Sequence, residues 1–293
     1  MKEIRIGKTQ KLTVVRETEH GVYLGAGGEE SVLLPKNQVP EGTAAGQEME
    51  VFVYRDSEDR PVATVRHPAA EVGEFAYLTV KNVSVFGAFL DWGLEKDLFM
   101  PYREMEESVR AKDAVMVYLY LDKSGRISAT TRIYGKLSAA EKGAFRKEDA
   151  FTGAVYRINK EVGVFAAVCP KGETLTPGKG YEKCYFGLIP PSEVYKRFRL
   201  GEALQGRIVR VREDGKLDLA LRKRDFEQLD ADGELILRKM EEYGGTLPFS
   251  ENASPELIKR ELKLSKSAFK KALGHLYKKR KVRIGENEVT PYQ

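Results

Sequence analysis

The chain has 293 residues, 42% of them apolar and 32% charged, and a formal net charge of +5. No apolar run approaches the ~18 residues of a membrane span, and the N-terminal MKEIRIGKTQKLTV lacks the apolar stretch of a secretion signal. With only Cys169 and Cys184 present, the composition argues against a membrane protein or a disulfide-stapled one and points to a reducing cytoplasm.

Shifted by 66 positions, the first third of the chain falls on the second. His20-Gly21-Val22-Tyr23-Leu24 meets Phe86-Gly87-Ala88-Phe89-Leu90, Pro35 meets Pro101, Asp56 meets Asp122, Arg60 meets Arg126, and Ala63-Thr64 meets Ala129-Thr130. A looser third copy places Gly163-Val164-Phe165 and Ile189-Pro190 in the same slots, with 209–221 matching the last two strands and 170–183 as an extra loop. Three copies of one unit mean three small modules in tandem. Their expected bounds are 1–67, 70–134 and 146–224. The two cysteines flank the extra loop without metal-ligand spacing and read as unpaired structural thiols.

Within the second copy, 74–80 alternates, and 87–91 and 98–100 are short β-rich runs. The runs 115–121 and 126–131 flank the turn Asp122-Lys123-Ser124-Gly125. Five short strands punctuated by glycine, with almost no helical period, predict a small antiparallel barrel of the OB type. The glycines at 21, 87 and 163 suit a bend or bulge in a tightly curled strand, and Pro35, Pro101 and Pro190 suit a strand end.

The string Val85-Phe86-Gly87-Ala88-Phe89-Leu90, followed by Leu98-Phe99-Met100-Pro101 and by Asp122-x-x-Gly125-Arg126-Ile127-Ser128, resembles the S1 domain, an RNA-binding OB module. The resemblance implies two aromatics that stack on bases and an Asp and Arg that contact bases and backbone. These are Phe86, Phe89, Asp122 and Arg126 in the second copy and His20, Tyr23, Asp56 and Arg60 in the first. The third copy keeps Phe165, with Val162, Arg212 and Lys216 in the other slots. The family's third-strand histidine is replaced by Pro35, Pro101 and Pro190. Independently of the resemblance, rings displayed on a curved sheet beside cations favour unpaired strands, through stacking and phosphate attraction. The competing assignment turns Tyr23, Phe89 and Phe165 into the barrel cores and leaves Asp56 and Asp122 as turn residues. Positions 86 and 89 differ by an odd offset, which places them on opposite faces unless Gly87 breaks the pleat.

Beyond the barrels, 230–243 reads as a helix with Leu235, Ile236, Met240 and Tyr243 on its apolar side, ended by Gly244-Gly245. A second helix starts at Ser254-Pro255 and runs to about Leu264. A third begins at Ser265, with Phe269, Ala272, Leu273, Leu276 and Tyr277 as its apolar stripe and Ser267, Lys271, Gly274, His275 and Lys278 opposite. Val282-Arg283-Ile284 and Glu288-Val289-Thr290, joined at Gly285-Glu286-Asn287, form a hairpin. Three helices and a hairpin over 228–293 predict an α/β winged helix. The expected fold class is therefore mostly β and multidomain: three S1-like OB barrels and a C-terminal winged helix.

Charge is segregated. Residues 254–293 hold 11 Lys and Arg against 4 Glu, a net +7, so 1–253 carries −2. Such a tail expects a polyanion, and Lys266, Lys270, Lys271, Lys278, Lys279, Arg280, Lys281 and Arg283 are the candidate contacts. The order of modules, the repeat and the helix at 266–278 resemble the bacterial conserved virulence factor B family. The resemblance implies a cytoplasmic RNA-binding protein that regulates gene expression after transcription. No phosphate-cradling loop, paired metal histidines, cysteine cluster or nucleophile elbow is present. The expected protein is therefore a non-catalytic monomer with no cofactor or metal, holding single-stranded RNA. The alternatives are a regulator gripping duplex DNA through its winged helix and an adaptor on the ribosome or polymerase.

Overall fold

The computed structural model describes residues 3–194, 196–221 and 225–292. The chain divides into two units, 1–221 and 222–293. The first holds three closed five-stranded barrels, as the repeat predicts. The expected end of the third module, at 224, lies outside the described residues.

Barrel 1 comprises β1 (Thr9–Thr18), β2 (Gly21–Gly25), β3 (Ser31–Pro35), β4 (Glu48–Arg55) and β5 (Pro61–Thr64). Their order is β1-β2-β3-β5-β4, closed by β4 against β1, and the β3–β5 pair alone is parallel. Barrel 2 repeats the pattern with β6 (Phe75–Val83), β7 (Gly87–Asp91), β8 (Leu98–Pro101), β9 (Ala114–Leu121) and β10 (Ile127–Thr130). Barrel 3 uses β11 (Ala150–Asn159), β12 (Gly163–Val168), β14 (Tyr185–Ile189), β15 (Ala203–Val211) and β16 (Leu217–Ala220), with β13 (Lys179–Tyr181) inserted. Each first strand carries a bulge at the same repeat position, between Val14 and Arg16, Val80 and Asn82, and Val155 and Arg157. A bulge there bends the strand enough to let it pair on both edges of a small barrel.

The repeated glycine has a packing reason. A Cβ on Gly21, Gly87 or Gly163 would lie 2.1, 2.2 or 2.1 Å from the carbonyl oxygen of Leu34, Met100 or Ile189 on the neighbouring strand. Only glycine lets the second strand turn in this closely. Pro35 and Pro101 pair with these glycines and end their strands, Pro190 directly follows β14, and a short 3-10 turn comes after each, at Lys36–Gln38, Tyr102–Glu104 and Pro191–Glu193.

The extra loop of the third copy is more than a loop. Its strand β13 pairs antiparallel with β6 of barrel 2, setting Lys179 against Tyr77 and Tyr181 against Phe75. Around this junction Phe75, Tyr77, Met116, Tyr156, Cys169, Tyr181 and Cys184 form a buried cluster shared by the two barrels. The Tyr77 hydroxyl donates to the Gly201 carbonyl at 2.8 Å. Both thiols are free and buried, and burial pushes Cys184 far above the usual thiol range.

The second unit contains α1 (Asp225–Glu242), α2 (Pro255–Leu262), α3 (Lys266–Lys278), β17 (Val282–Ile284) and β18 (Val289–Pro291), a winged helix. The hydroxyls of Ser254 and Ser265 accept from Leu257 N and Ala268 N, capping α2 and α3 where their N-terminal signals place them. Ile236, Met240, Ile258, Phe269, Leu273, Leu276 and Val282 make its core. The helix α1 begins five residues earlier than expected, while Tyr277 and Tyr243 are exposed and lie outside the core. Both tyrosines sit at the edge of an apolar stripe, where the polar tip lies at the surface, and the Tyr243 hydroxyl donates to Glu261 at 3.1 Å. Among the described residues no helix is long and apolar enough to cross a membrane.

Candidate nucleic-acid interface

A groove of about 700 Å³ opens on barrel 2, where the turn before β7, the strand β8 and the β9–β10 turn face the end of β4 from barrel 1. Ser84 N donates to Gly87 O at 2.8 Å, closing a tight turn that thrusts Val85 and Phe86 into solvent. Phe86 is 76% exposed. Phe89 is half-buried and packs on Phe99 with ring centroids 5.3 Å apart. Both Phe86 and Phe89 line the groove, so the turn at Gly87 does break the pleat. An aromatic wall with one ring free to move suits stacking against a flat base.

The Asp and Arg of the S1 pattern also reach this groove, but each has a structural partner. Asp122 Oδ1 accepts from Ser124 N at 2.8 Å and Arg126 N at 3.0 Å, holding the β9–β10 turn. The Arg126 side chain crosses to barrel 1 and forks onto both carboxylate oxygens of Asp59. Arg126 holds the Asp59 carboxyl below its ordinary range. Asp59 occupies the turn position that Gly125 and Gly215 fill in the other copies, with φ of +63°, +75° and +75°. Barrel 1 thus spends a left-handed position on an acid that catches its neighbour's arginine.

The groove is also lined by Tyr54, Arg55, Trp92, Lys96, Asp97 and Phe99, none of which the sequence marked as a site residue. Trp92 is buried and donates from Nε1 to Lys96 O at 2.6 Å. Lys96 Nζ in turn donates to Arg55 O and Asp56 O at 3.1 and 2.7 Å, docking the end of β4 from barrel 1. Burial, together with the nearby Arg126, pushes the Lys96 ammonium down from its usual value. The readable signal was the departure between copies: Arg55 stands against Leu121, and Asp59 against Gly125.

The first copy is arranged differently. Tyr23 is half-buried beneath the Arg16 guanidinium, 3.9 Å from its ring centre. His20 is exposed beside Glu19. Arg60 folds back onto Asp56 at 2.8 Å and Glu58 at 2.9 Å, which neutralises it. Asp56 also accepts from Glu58 N and Arg60 N as the turn's anchor.

In the third copy the equivalent face is engaged internally. Phe165 packs on Tyr156 and Phe186 at 6.1 and 5.9 Å, and Tyr134, from the segment following barrel 2, stands edge-on to Phe186 at 5.1 Å. Arg212 pairs with Asp218 at 2.5 Å, and Lys216 with Asp214 at 2.9 Å while lying over Phe186.

In the winged helix Lys266, Lys270, Lys271, Lys278, Lys279, Arg280, Lys281 and Arg283 are all exposed. Lys270 pairs with Glu251 at 3.3 Å, Lys279 and His275 meet Asp230, and Arg283 lies over the Tyr292 ring at 5.1 Å.

Family models match most of this architecture: the S1 domain at 6–66 and 72–132, the second domain of virulence regulatory factor CvfB at 180–223, and the CvfB-like winged helix domain at 234–290. The protein YitL of Bacillus subtilis strain 168 is 31% identical over 290 residues, 95% of this chain and 91% of that one. Conserved virulence factor B of Staphylococcus epidermidis ATCC 12228 is 28% identical over 295 residues, covering 97% and 94%. The chain belongs to the conserved virulence factor B family. A conserved virulence factor B of Staphylococcus aureus N315 is 29% identical over 253 residues, 84% of this chain and 79% of the relative. A crystal structure described as a multidomain protein with nucleic acid binding domains, from Streptococcus pneumoniae TIGR4, matches with a TM-score of 0.52 and 25% identity over 98% of both chains. S1 and winged-helix modules are nucleic-acid-binding modules, and this member of the conserved virulence factor B family carries both.

Proposed function

We propose that the chain is a non-catalytic, monomeric RNA-binding protein that holds single-stranded RNA and regulates gene expression after transcription in the cytoplasm. The modules acting in it are those at 1–67, 70–134, 146–224 and 228–293. One observation carries this reading: the exposed Phe86 ring stands over an aromatic groove flanked by Arg55 and Lys96. Stacking in such a groove contributes roughly 1–3 kcal/mol per base. Cations beside it draw the phosphates, and the basic winged helix adds a second, electrostatic grip. Two modest sites on one chain reinforce each other by raising the effective concentration of the strand.

Direct competition among unpaired RNA, unpaired DNA and duplex DNA of equal length tests the reading. Unpaired RNA should displace the other two. A protein that prefers duplex DNA is instead the regulator that grips through its winged helix, a reading supported by the basic face of α3.

A further inference from the structure

Gly274 lies within α3 and has no structural reason to be glycine. Its backbone is ordinary helix, unlike Gly27, Gly42 or Gly244, which are equally open but hold φ of +88°, +80° and +77°. Among the described residues, a methyl group placed on it meets nothing within 4 Å. Glycine inside a helix is disfavoured relative to alanine, so conformation favours alanine at this position and packing permits it.

The surroundings supply a reason. The residues three and four places away on either side, its neighbours on the helix face, are Lys270, Lys271, Tyr277 and Lys278, and all four are exposed. Gly274 is thus the floor of a shallow depression ringed by three cations and one aromatic ring. A missing Cβ lets another backbone approach the helix closely, and the cations select an anionic one.

We propose that this depression seats a phosphodiester of a base-paired RNA segment, the backbone ridge lying over Gly274 between the lysines. A paired segment presents its backbone outward and keeps its bases stacked. A face with one rim ring offers no platform for unpaired bases, whereas the barrel 2 groove does. The inference rests on the reading that the chain binds RNA, and it adds that the RNA includes a stem.

The test uses the full-length Gly274→Ala variant, its melting temperature, and titrations with a labelled RNA hairpin, an unpaired RNA and a duplex DNA. The melting temperature should hold or rise, hairpin affinity should fall about tenfold, and affinity for unpaired RNA should not change. Lys271→Ala should also weaken the hairpin and lower its salt dependence. Unchanged hairpin binding in Gly274→Ala overturns this inference alone. So does a lowered melting temperature, because the glycine then serves the fold. Equal losses on unpaired RNA or on duplex DNA overturn the assignment to an RNA stem. A wild-type chain that binds no RNA overturns both this inference and the proposed function.

Discussion

Arg126 of barrel 2 is held by Asp59 of barrel 1, with Nε on one carboxylate oxygen and Nη2 on the other. The arginine that the S1 pattern assigns to RNA is therefore already occupied, by an acid at the turn position that the other two copies fill with glycine. Asp59→Gly restores the residue type of the other two turns and releases the cation into the groove. Affinity for unpaired RNA should rise, and the salt dependence should steepen by about 0.7 in the logarithmic slope, one added phosphate contact. Oligonucleotide titration at several salt concentrations measures both.

The same pair defines a pH window. The folded-state pKa of Asp59 is depressed by Arg126, so the pair is fully formed above the unfolded-state value of about 4 and is lost as pH falls through the lower folded value. The affinity difference between wild type and Asp59→Gly should therefore be constant from about pH 5 to 8 and shrink only in stronger acid. Titrations across that range check it.

Phe165 takes part in a junction between barrels. Replacing it with alanine removes contacts to Tyr156 and Phe186 and should cost about 2–3 kcal/mol of stability. Urea unfolding should show the loss, while RNA affinity of the folded protein stays within about twofold.

The β13 junction makes a separate demand. A Cβ on Gly180 would sit 2.0 Å from the Ala69 carbonyl oxygen, so Gly180→Ala must push β13 and the segment at Ala69–Ala70 apart. The expected penalty is about 1–3 kcal/mol in the same unfolding assay. A harmless Gly180→Ala would show that the close approach of β13 to Ala69 contributes nothing to stability.

The barrels were legible because each element leaves a local mark: alternation on the strands, glycine where strands nearly touch, proline where they end. The winged helix was legible for the same reason, through Ser254 and Ser265 at helix starts and the 3.6 period of Phe269, Leu273 and Leu276. What could not be read were relationships between modules. Nothing local announces that Asp59 reaches Arg126, that Trp92 and Lys96 seat the end of β4, or that the loop at 170–183 lends a strand to barrel 2. Tyr277 was misplaced for a related reason, because periodicity marks a stripe but not its rim.

The most direct measurement is titration of a fluorescent unpaired RNA with the wild-type chain and with Phe86→Ala combined with Phe89→Ala, at several salt concentrations. Loss of both rings should weaken binding by at least about tenfold and leave the salt slope unchanged, because stacking is lost and phosphate contacts are not. Equal affinity in the two proteins would contradict the central claim that RNA lies across the aromatic groove of barrel 2.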